Sequence, residues 1–235
     1  MNAAVIAAGG SGERFGHAAG KQLAVVAGLP VLTHTLLAFE RCDSVDAVVV
    51  VTHPDRVEEY RRVAIEGAGV TKVVAVVAGG ATRIQSVRAG LVALPEGVDL
   101  VAIHDGARAA VTPETIAAAF AALAGHDGVD GVVVGYPAVD TIKEVDPDGR
   151  VTSTPDRTRF WNAQTPQVFR PSALSRAYWR AGIAGFEGTD DASLVEAVGG
   201  TVLMVEGPRS NLKVTVPEDL AMLEALLLAR EGARQ

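Results

Sequence analysis

The chain alternates short apolar runs with segments whose apolar residues recur at helical spacing. Five runs have the length and composition of buried strands, namely Ala3–Ala8, Val45–Thr52, Lys72–Val77, Leu100–His104 and Gly131–Gly135. Three of the intervening segments have helical spacing and a proline at or beside one end, namely Pro30–Phe39, Arg83–Leu94 and Pro113–Leu123. Apolar strands separated by helices predict a mostly parallel sheet that helices cover on both faces.

The alternation continues to the end of the chain and predicts one α/β domain. The later elements are helices near Pro171–Ala181 and Asp191–Val198, strands near Thr201–Val205 and Leu212–Thr215, and a last helix that opens at Pro217. No repeat or long linker divides the sequence. We therefore expect residues 1–235 to form a single Rossmann-like domain of three layers, with its sheet in the middle.

A different pattern in the second half of the chain predicts a β-hairpin. Residues Thr141–Val145 alternate in polarity, Asp146–Gly149 has the sequence of a turn, and Arg150–Thr154 is again extended. An isolated hairpin is only marginally stable in water. We therefore expect a protruding β-arm at about residues 140–156 that packs on a second subunit, which predicts a homodimer.

Composition narrows the class of protein. The 235 residues are 49% hydrophobic and carry a formal net charge of −7, which argues against non-specific binding of nucleic acid. Apolar runs such as Ala47–Val51 are far shorter than the ~20 residues that span a bilayer. Met1–Ile6 lacks the basic region of a signal peptide, and Cys42 has no second cysteine to pair with. We expect a cytoplasmic protein without nucleic-acid or membrane partners.

A glycine-rich loop follows the first predicted strand. Residues 7–15 are Ala-Ala-Gly-Gly-Ser-Gly-Glu-Arg-Phe, and residues 20–22 are Gly-Lys-Gln. Glycines let a backbone approach a phosphate group and turn its N–H groups toward it, and Arg14 and Lys21 add two cations. The loop predicts a site for a phosphate-rich ligand such as a nucleoside triphosphate. A flexible turn with solvated charges is the alternative.

Two common phosphate-binding motifs do not match this loop. The dinucleotide motif G-x-G-x-x-G fails because Gly10-Ser11-Gly12 is followed by Gly16, one position late. The P-loop motif fails because Gln22 follows Lys21 where a magnesium-binding hydroxyl residue is required. A nucleotidyltransferase loop, with a basic residue after the glycines and a lysine several positions later, is the third interpretation.

The loop resembles the signature of the sugar-nucleotide-type nucleotidyltransferases, and more narrowly that of the 2-C-methyl-D-erythritol 4-phosphate cytidylyltransferase family. Further motifs of this family occur in its order along the chain. They are Gly79–Val87, His104–Arg108, Asp140–Lys143, Asp156-Arg157, Gln164–Gln167, Thr189–Ser193 and Asn211–Thr215. The resemblance implies transfer of CMP from CTP to a small polyol phosphate, with release of pyrophosphate.

The resemblance also implies roles for individual residues. The catalytic cations would be Arg14 and Lys21 on the CTP phosphates and Arg157 and Lys213 on the acceptor phosphate. The nucleotide contacts would be Ala8, Gly9, Gly10, Gly12, Gly80, Ala81, Ser86 and Asp105. The acceptor contacts would be Asp105, Arg108, Thr141, Arg157, Thr165, Thr189 and Lys213. Mg²⁺ would be carried mainly by the CTP phosphates without a dedicated protein site, and Arg157 would reach the neighbouring subunit's site.

Ordinary structural roles remain open for several of these residues. Lys213 could form a surface salt bridge with Glu218, and Arg157 could pair with Asp156. Asp105 could cap a helix through its carboxylate. Each of these alternatives makes a definite claim about contacts, which a structure can test.

His104 is expected to be a packed strand end and not a base, and Asp190 and Asp191 could be a capping pair at a helix start.

Alternatives also remain for the function of the protein. A ribitol 5-phosphate cytidylyltransferase would carry the same phosphate-binding cations, but Asp140–Lys143 and Thr189–Asp191 favour the methylerythritol acceptor. A non-catalytic nucleotide-binding regulator belongs to a different class. Mismatched glycine spacing argues against a nicotinamide oxidoreductase.

Overall fold

The structure is a computed structural model that describes residues 1–10, 15, 20–184 and 188–232. Its strands are β1 Asn2–Ala7, β2 Val25–Val26, β3 Leu29–Pro30, β4 Ala47–Thr52, β5 Val73–Ala78, β6 Leu100–Asp105, β7 Gly131–Pro137, β8 Glu144–Val145, β9 Val151–Ser153, β10 Trp161–Phe169 and β11 Val202–Glu206. Its α-helices are α1 Val31–Glu40, α2 Val57–Tyr60, α3 Arg83–Val92, α4 Pro113–Ala124, α5 Pro171–Ala184, α6 Asp191–Ala197 and α7 Asp219–Gly232. Within these described residues, no helix combines the length and apolarity that a membrane span requires.

Seven of these strands form one sheet in the order β11-β7-β10-β6-β1-β4-β5. Neighbouring strands are parallel except at β10, which runs antiparallel to both β6 and β7. Strand β1 lies between β6 and β4, with Val5 opposite Ile103 and Val49, so the order of the sheet reverses at β1. The carboxyl ends of β1, β4, β5 and β6 therefore meet at one edge, where open α/β sheets bind ligands.

Helices cover both faces of this sheet. On one face, Leu36 of α1 and Phe120 of α4 pack in the same core as Ile6 of β1. On the other face, Val87 of α3 and Leu174 of α5 pack with Val5. Successive side chains of a strand point to opposite faces, so the adjacent Val5 and Ile6 belong to different cores. This three-layer arrangement confirms the predicted α/β fold with a mostly parallel sheet.

Two segments differ from the predictions. The pattern does not predict β10, because polar Gln164, Thr165 and Gln167 interrupt its apolar residues, yet all three are buried between β6 and β7. The predicted strand at Leu212–Thr215 is wrong, because this segment is irregular. The N–H of Val214 donates to the carbonyl oxygen of Ala107 at 2.9 Å, and its side chain is fully buried. The N–H of Thr215 donates to Asp219 Oδ2 at 2.6 Å, so individual hydrogen bonds and one apolar anchor hold the segment without a strand ladder.

Strands β8 and β9 pair antiparallel at the position of the predicted hairpin. The turn between them is closed by Asp146, whose Oδ1 accepts the N–H of Asp148 at 3.0 Å. Gly149 has a φ of +82°, in the left-handed region that favours glycine. The side chains of Val145 and Val151 are 54% and 58% exposed, so nothing in the described part of this single chain covers the apolar residues of the hairpin.

Candidate active site

A cleft of about 300 Å³ opens where β6 ends, beside β10. Five of the predicted acceptor contacts line it, namely Asp105, Arg108, Thr165, Thr189 and Lys213. The wall is completed by Arg83, Ala163, Gln164, Gln167 and Asp190. The pairing of β10 with β7 is irregular between Ala163 and Gln167, which is where β10 contributes to the cleft.

A larger cavity of about 590 Å³ lies at the opposite end of the strands. Its lining includes Asn2 and Leu100, the first residues of β1 and β6, and none of the predicted site residues. The smaller cleft lies at the carboxyl edge and carries the charged side chains. Its position and chemistry, and not its volume, identify it as the candidate active site.

Charge in this cleft centres on Asp105, the last residue of β6. Lys213 Nζ lies 2.9 Å from Asp105 Oδ2, and Arg108 Nε lies 3.5 Å from the same oxygen. Burial tends to raise the pKa of this carboxyl, but Lys213 and then Arg83 outweigh it and lower the pKa to about 2. Two cations thus share one carboxylate that is ionised at neutral pH. Lys213 pairs here with Asp105, and not with Glu218.

Arg108 links the end of β6 to the irregular segment that carries Lys213. Its Nη1 donates to the carbonyl oxygen of Asn211 at 2.9 Å, and Asn211 Nδ2 in turn donates to the carbonyl oxygen of Thr165 at 2.8 Å. Burial lowers the pKa of Arg108, but an arginine remains charged at neutral pH because its ordinary pKa lies above about 12. The side chain of Arg108 therefore serves as both a cation and a brace. Asp105 begins a turn closed by the Arg108 N–H at 3.0 Å, so it caps no helix.

His104 precedes Asp105 and is completely buried. Its Nδ1 lies 3.0 Å from Thr165 Oγ1, which also accepts the backbone N–H of Asp105 at 3.0 Å. Burial lowers the pKa of His104 to about 3, so its imidazole is neutral at physiological pH. This environment confirms the expected packed, hydrogen-bonded strand end. Thr165 is consequently fixed between two residues of β6.

The loop that carries Thr189 ends at the start of α6. Thr189 is exposed and lines the cleft, while Asp190 Oδ1 accepts the N–H of Ser193 at 2.9 Å and caps the helix. The capping role is therefore confirmed for Asp190. It does not hold for Asp191, which is fully buried and faces α3 instead.

The second glycine loop lies at the carboxyl edge, ahead of α3, and carries three of the predicted nucleotide contacts. Ser86 Oγ accepts the N–H of Gly80 at 3.1 Å and donates to the carbonyl oxygen of Thr82 at 2.9 Å. Gln85 Oε1 accepts the N–H of Ala81 at 2.8 Å. A Cβ added to Gly80 would lie only 2.4 Å from Cβ of Gln85. The predicted nucleotide contacts Gly80, Ala81 and Ser86 thus belong to one tightly packed turn.

The first glycine loop leaves β1 at the same edge. Ala8 is fully buried, and its N–H donates to the carbonyl oxygen of Val51 at 2.7 Å, so this amide is occupied by the protein. A Cβ on Gly9 would meet the carbonyl group of Thr52 at 3.0 Å, whereas a Cβ on Gly10 would meet none of the described residues within 4 Å. Gly9 therefore permits close packing against β4.

The remaining predicted residues are not brought into this cleft by the described chain. Gly12 and Arg14 lie outside the described residues. Lys21 is half-buried beyond the cleft lining, and Thr141 and Arg157 are exposed on either side of the hairpin. Arg157 donates from Nη1 to a backbone carbonyl before the hairpin at 2.5 Å, and not to Asp156. Of the predicted catalytic cations that the structure describes, Lys213 is the one placed in the cleft, and the roles of all four stay predictions.

Sequence reasoning missed several residues in and beside the cleft. Gln164, Gln167 and Arg83 line it, and Asn211 holds Thr165 from behind. All four occur within the family motifs, but the pattern alone assigns them no role. Gln164 and Gln167 are 3% and 1% exposed, and buried amides need partners. The signal in the sequence was the pair of amide side chains that interrupts an apolar run. Buried amides need hydrogen-bond partners, so such a pair indicates a polar site within a strand.

The donor atoms of the cleft suit a phosphate-bound cation better than a protein-held one. Among the described residues, no group of three or more His, Cys, Asp or Glu side chains could hold a metal ion. Mg²⁺ prefers oxygen ligands and often binds through one or two carboxylates together with substrate phosphates. Asp105, ionised and facing the cleft, fits such a supporting role.

Comparison with known proteins agrees with this geometry. The family model described as IspD, 2-C-methyl-D-erythritol 4-phosphate cytidylyltransferase, matches residues 2–229. The protein of that name from Pelotomaculum thermopropionicum is 40% identical over 230 residues, which cover 98% of this chain and 95% of the relative. The one from Geobacter metallireducens is 42% identical over 228 residues, which cover 95% and 96%.

Solved structures give the same result. The crystal structure of 4-diphosphocytidyl-2C-methyl-D-erythritol synthase from Anaerococcus prevotii has a TM-score of 0.84 and 30% identity, and the match covers 97% of this chain and 98% of that one. The 2-C-methyl-D-erythritol 4-phosphate cytidylyltransferase from Thermus thermophilus has a TM-score of 0.77 and 30% identity, with 97% and 99% covered. This chain therefore belongs to the 2-C-methyl-D-erythritol 4-phosphate cytidylyltransferase family.

Proposed function

We propose that this protein transfers CMP from CTP to 2-C-methyl-D-erythritol 4-phosphate, which yields 4-diphosphocytidyl-2-C-methyl-D-erythritol and pyrophosphate for isoprenoid synthesis by the non-mevalonate route. Family membership supports the reaction and both substrates. The observation that carries the proposal is the pair of cations, Lys213 and Arg108, on the carboxylate of Asp105. We place the reaction in the cytoplasm, where a reducing environment suits the unpaired thiol of Cys42.

In-line nucleotidyl transfer requires mainly that two anions are held together while charge on the reacting phosphorus is stabilised. A phosphate oxygen of the acceptor attacks the α-phosphorus of CTP, and the bond to pyrophosphate breaks. The acceptor phosphate is already anionic at neutral pH, so the reaction needs no general base. Lys213 turns from Asp105 to the acceptor phosphate, while Arg108 keeps the carboxylate paired. Thr165 and Thr189 offer hydroxyl groups to the polyol.

The nucleotide side of the proposal rests on the two glycine loops. Arg14 and Lys21 bind the triphosphate, whose negative charges need charge-assisted hydrogen bonds. Gly80 and Ser86 form a tight turn, and we expect this turn to admit a pyrimidine base in preference to the larger purine. Binding of CTP is expected to stabilise the protein by RT ln(1 + [L]/Kd), so thermal shift with CTP against GTP tests this preference.

Mg²⁺ enters the proposal as a partner of the CTP phosphates. It neutralises charge on the phosphate oxygens when bound. Asp105 is the side chain that would support it, as an ionised carboxylate in the cleft. Removal of divalent cations with EDTA is expected to abolish pyrophosphate release, and added Mg²⁺ should restore it.

We also propose a homodimer that forms through the β-arm. The exposed side chains of Val145 and Val151 on the hairpin support this proposal, because a partner subunit would bury them. In such a dimer Thr141 and Arg157 would complete the partner's acceptor site. Deletion of Lys143–Thr152 is expected to give a monomer in sedimentation velocity. A deletion variant that sediments as a dimer would refute the role of the arm.

The proposed reaction is tested by measuring pyrophosphate release from CTP with Mg²⁺ and each of two acceptors. We expect turnover with 2-C-methyl-D-erythritol 4-phosphate and little with ribitol 5-phosphate. Comparable rates with both acceptors would overturn the choice of acceptor. Absence of pyrophosphate with any polyol phosphate would favour the non-catalytic, nucleotide-binding regulator.

A further inference from the structure

A half-buried ion pair joins the two sides of the active-site edge. Arg83 Nη1 and Nη2 donate to Asp191 Oδ1 and Oδ2 at 2.8 and 2.5 Å, in a bidentate arrangement. The hydroxyl of Tyr178 on α5 donates to Asp191 Oδ1 as well. Asp191 is fully buried, whereas the side chain of Arg83 is 37% exposed and lines the cleft. The pair therefore has one end in the core and the other in the site.

The two partners stand at matching positions on two helices. Arg83 is the first residue of α3 and directly follows the loop Gly79–Thr82, which borders the nucleotide side. Asp191 is the first residue of α6 and directly follows Thr189 and Asp190, which line the acceptor side. A rigid bond between the two helix starts therefore sets the distance between the two loops.

The loop before α6 is held from a second direction. Gln167 Nε2 donates to Asp190 Oδ2 at 2.7 Å, and Gln167 Oε1 accepts the N–H of Ala192 at 3.0 Å. Gln167 belongs to β10, so it ties this loop to the sheet. Arg83 ties the same loop to α3, so the residues that directly follow Thr189 are attached from two directions.

The charge of Arg83 also reaches the centre of the cleft. Its guanidinium is, after Lys213, the largest favourable influence on the ionised form of Asp105. Burial tends to lower the pKa of Arg83, but the charge and hydrogen bonds of Asp191, together with the charge of Asp105, raise the pKa above the ordinary value. Arg83 is thus permanently charged, and its orientation is determined by Asp191 and not by solvent.

We propose that Arg83, held by Asp191 and Tyr178, is a positioning residue that fixes the acceptor-side loop carrying Thr189 against the nucleotide-side loop. The inference rests on the proposed function for its substrates. It assigns Arg83 no contact with the reacting atoms. Loosening the pair should therefore impair recognition of the acceptor much more than binding of CTP.

The test uses full-length wild-type protein and the variants Asp191→Asn, Arg83→Lys and Tyr178→Phe. Arg88→Lys, an exposed arginine on the same helix, is the matched control. We measure KM for 2-C-methyl-D-erythritol 4-phosphate and for CTP separately. We also measure amide hydrogen exchange across residues 188–193, which reports the loop without any activity.

Arg83→Lys keeps the charge but loses the bidentate geometry, so KM for the acceptor should rise about tenfold, equivalent to about 1.4 kcal/mol. Asp191→Asn should raise it at least as much, and Tyr178→Phe, the mildest change, about two- to threefold. KM for CTP should stay within about twofold, and exchange at residues 188–193 should accelerate. Arg88→Lys should change none of these values.

Two outcomes would overturn the inference. One is an unchanged KM for the acceptor in variants whose melting temperature has fallen, because the pair would then serve stability alone. The other is an equal rise of KM for both substrates. If wild-type protein releases no pyrophosphate, the proposed function fails, and only the hydrogen-exchange data then test the positioning role. Unchanged protection of residues 188–193 in Tyr178→Phe and Arg83→Lys would overturn that role.

Discussion

The sides of the active-site edge that we assign to the acceptor and to the nucleotide are built from different groups. The acceptor side consists of charged side chains, with Asp105 held between Lys213 and Arg108. The nucleotide side consists largely of backbone groups at glycines, where Gly9 and Gly80 leave no room for a Cβ. A charged network fails when one partner is removed, whereas a glycine turn fails when volume is added. The two sides should therefore respond to different perturbations.

The largest effect is expected from loss of charge on the acceptor side. Lys213→Ala should lower kcat/KM by about 10²–10³, the scale for removal of one group that stabilises a transition state. Lys72→Ala is the matched control, because Lys72 donates to the carbonyl oxygen of Cys42 beyond the amino end of β5. Steady-state kinetics would contradict the prediction if folded Lys213→Ala worked at wild-type rates or if both lysine variants lost activity equally.

The next largest effect is expected in the pH dependence of the free energy of unfolding, which should report the buried His104 beside Asp105. In the native state His104 has a pKa of about 3, whereas in the unfolded chain its value is near 6.5. Below the unfolded value the unfolded state binds the extra proton, so the free energy of unfolding should fall by about 1.4 kcal/mol per pH unit as pH drops toward 4.5. His104→Asn should flatten this slope, because asparagine does not titrate.

The measurement is urea unfolding at a series of pH values between 7 and about 4.5, a window chosen above the range in which Asp105 takes up its proton. The depressed pKa of Asp105 means that its stabilising contribution is lost only as pH falls from 3.8 toward about 2. The exposed His126 supplies the control variant His126→Asn. Parallel pH curves for wild type and His104→Asn would show that the buried ring is not the source of the slope.

A smaller effect is expected from added volume on the nucleotide side. Gly80→Ala should lower the free energy of unfolding by about 1–3 kcal/mol, because its Cβ meets that of Gln85. Gly10→Ala should change it by less than about 0.5 kcal/mol, because its Cβ meets none of the described residues within 4 Å. Denaturant titration of both variants measures the difference. Equal values would remove the distinction between a packed glycine and an open one.

The smallest effect is expected from one hydroxyl of the same turn. Ser86→Ala leaves the N–H of Gly80 without its acceptor, which should cost about 1 kcal/mol. In a chain of this length that corresponds to a fall in melting temperature of roughly 2–4 °C. Ser175→Ala, at an exposed position of α5, is the control. A drop no larger than the control's would mean that the turn holds without this hydrogen bond.

The pattern of apolar and polar residues along the sequence was sufficient to predict most of the fold. Strands such as β4 are apolar at nearly every position because both faces of the sheet are covered, and this pattern is visible without coordinates. The pattern was insufficient at β10, where Gln164 and Gln167 are buried through hydrogen bonds that it does not reveal. It misled at Leu212–Thr215, where Val214 is buried without a neighbouring strand.

What the sequence by itself determined is the alternation of strands and helices, the glycine loops and the family to which the motifs belong. These depend on local properties: residue polarity, backbone freedom and order along the chain. Only the tertiary structure decided that Lys213 pairs with Asp105, that Arg83 forms a salt bridge with Asp191, and that His104 is neutral. Charge pairing and desolvation depend on distance and burial, and residues separated by 108 positions acquire these only when the chain has folded.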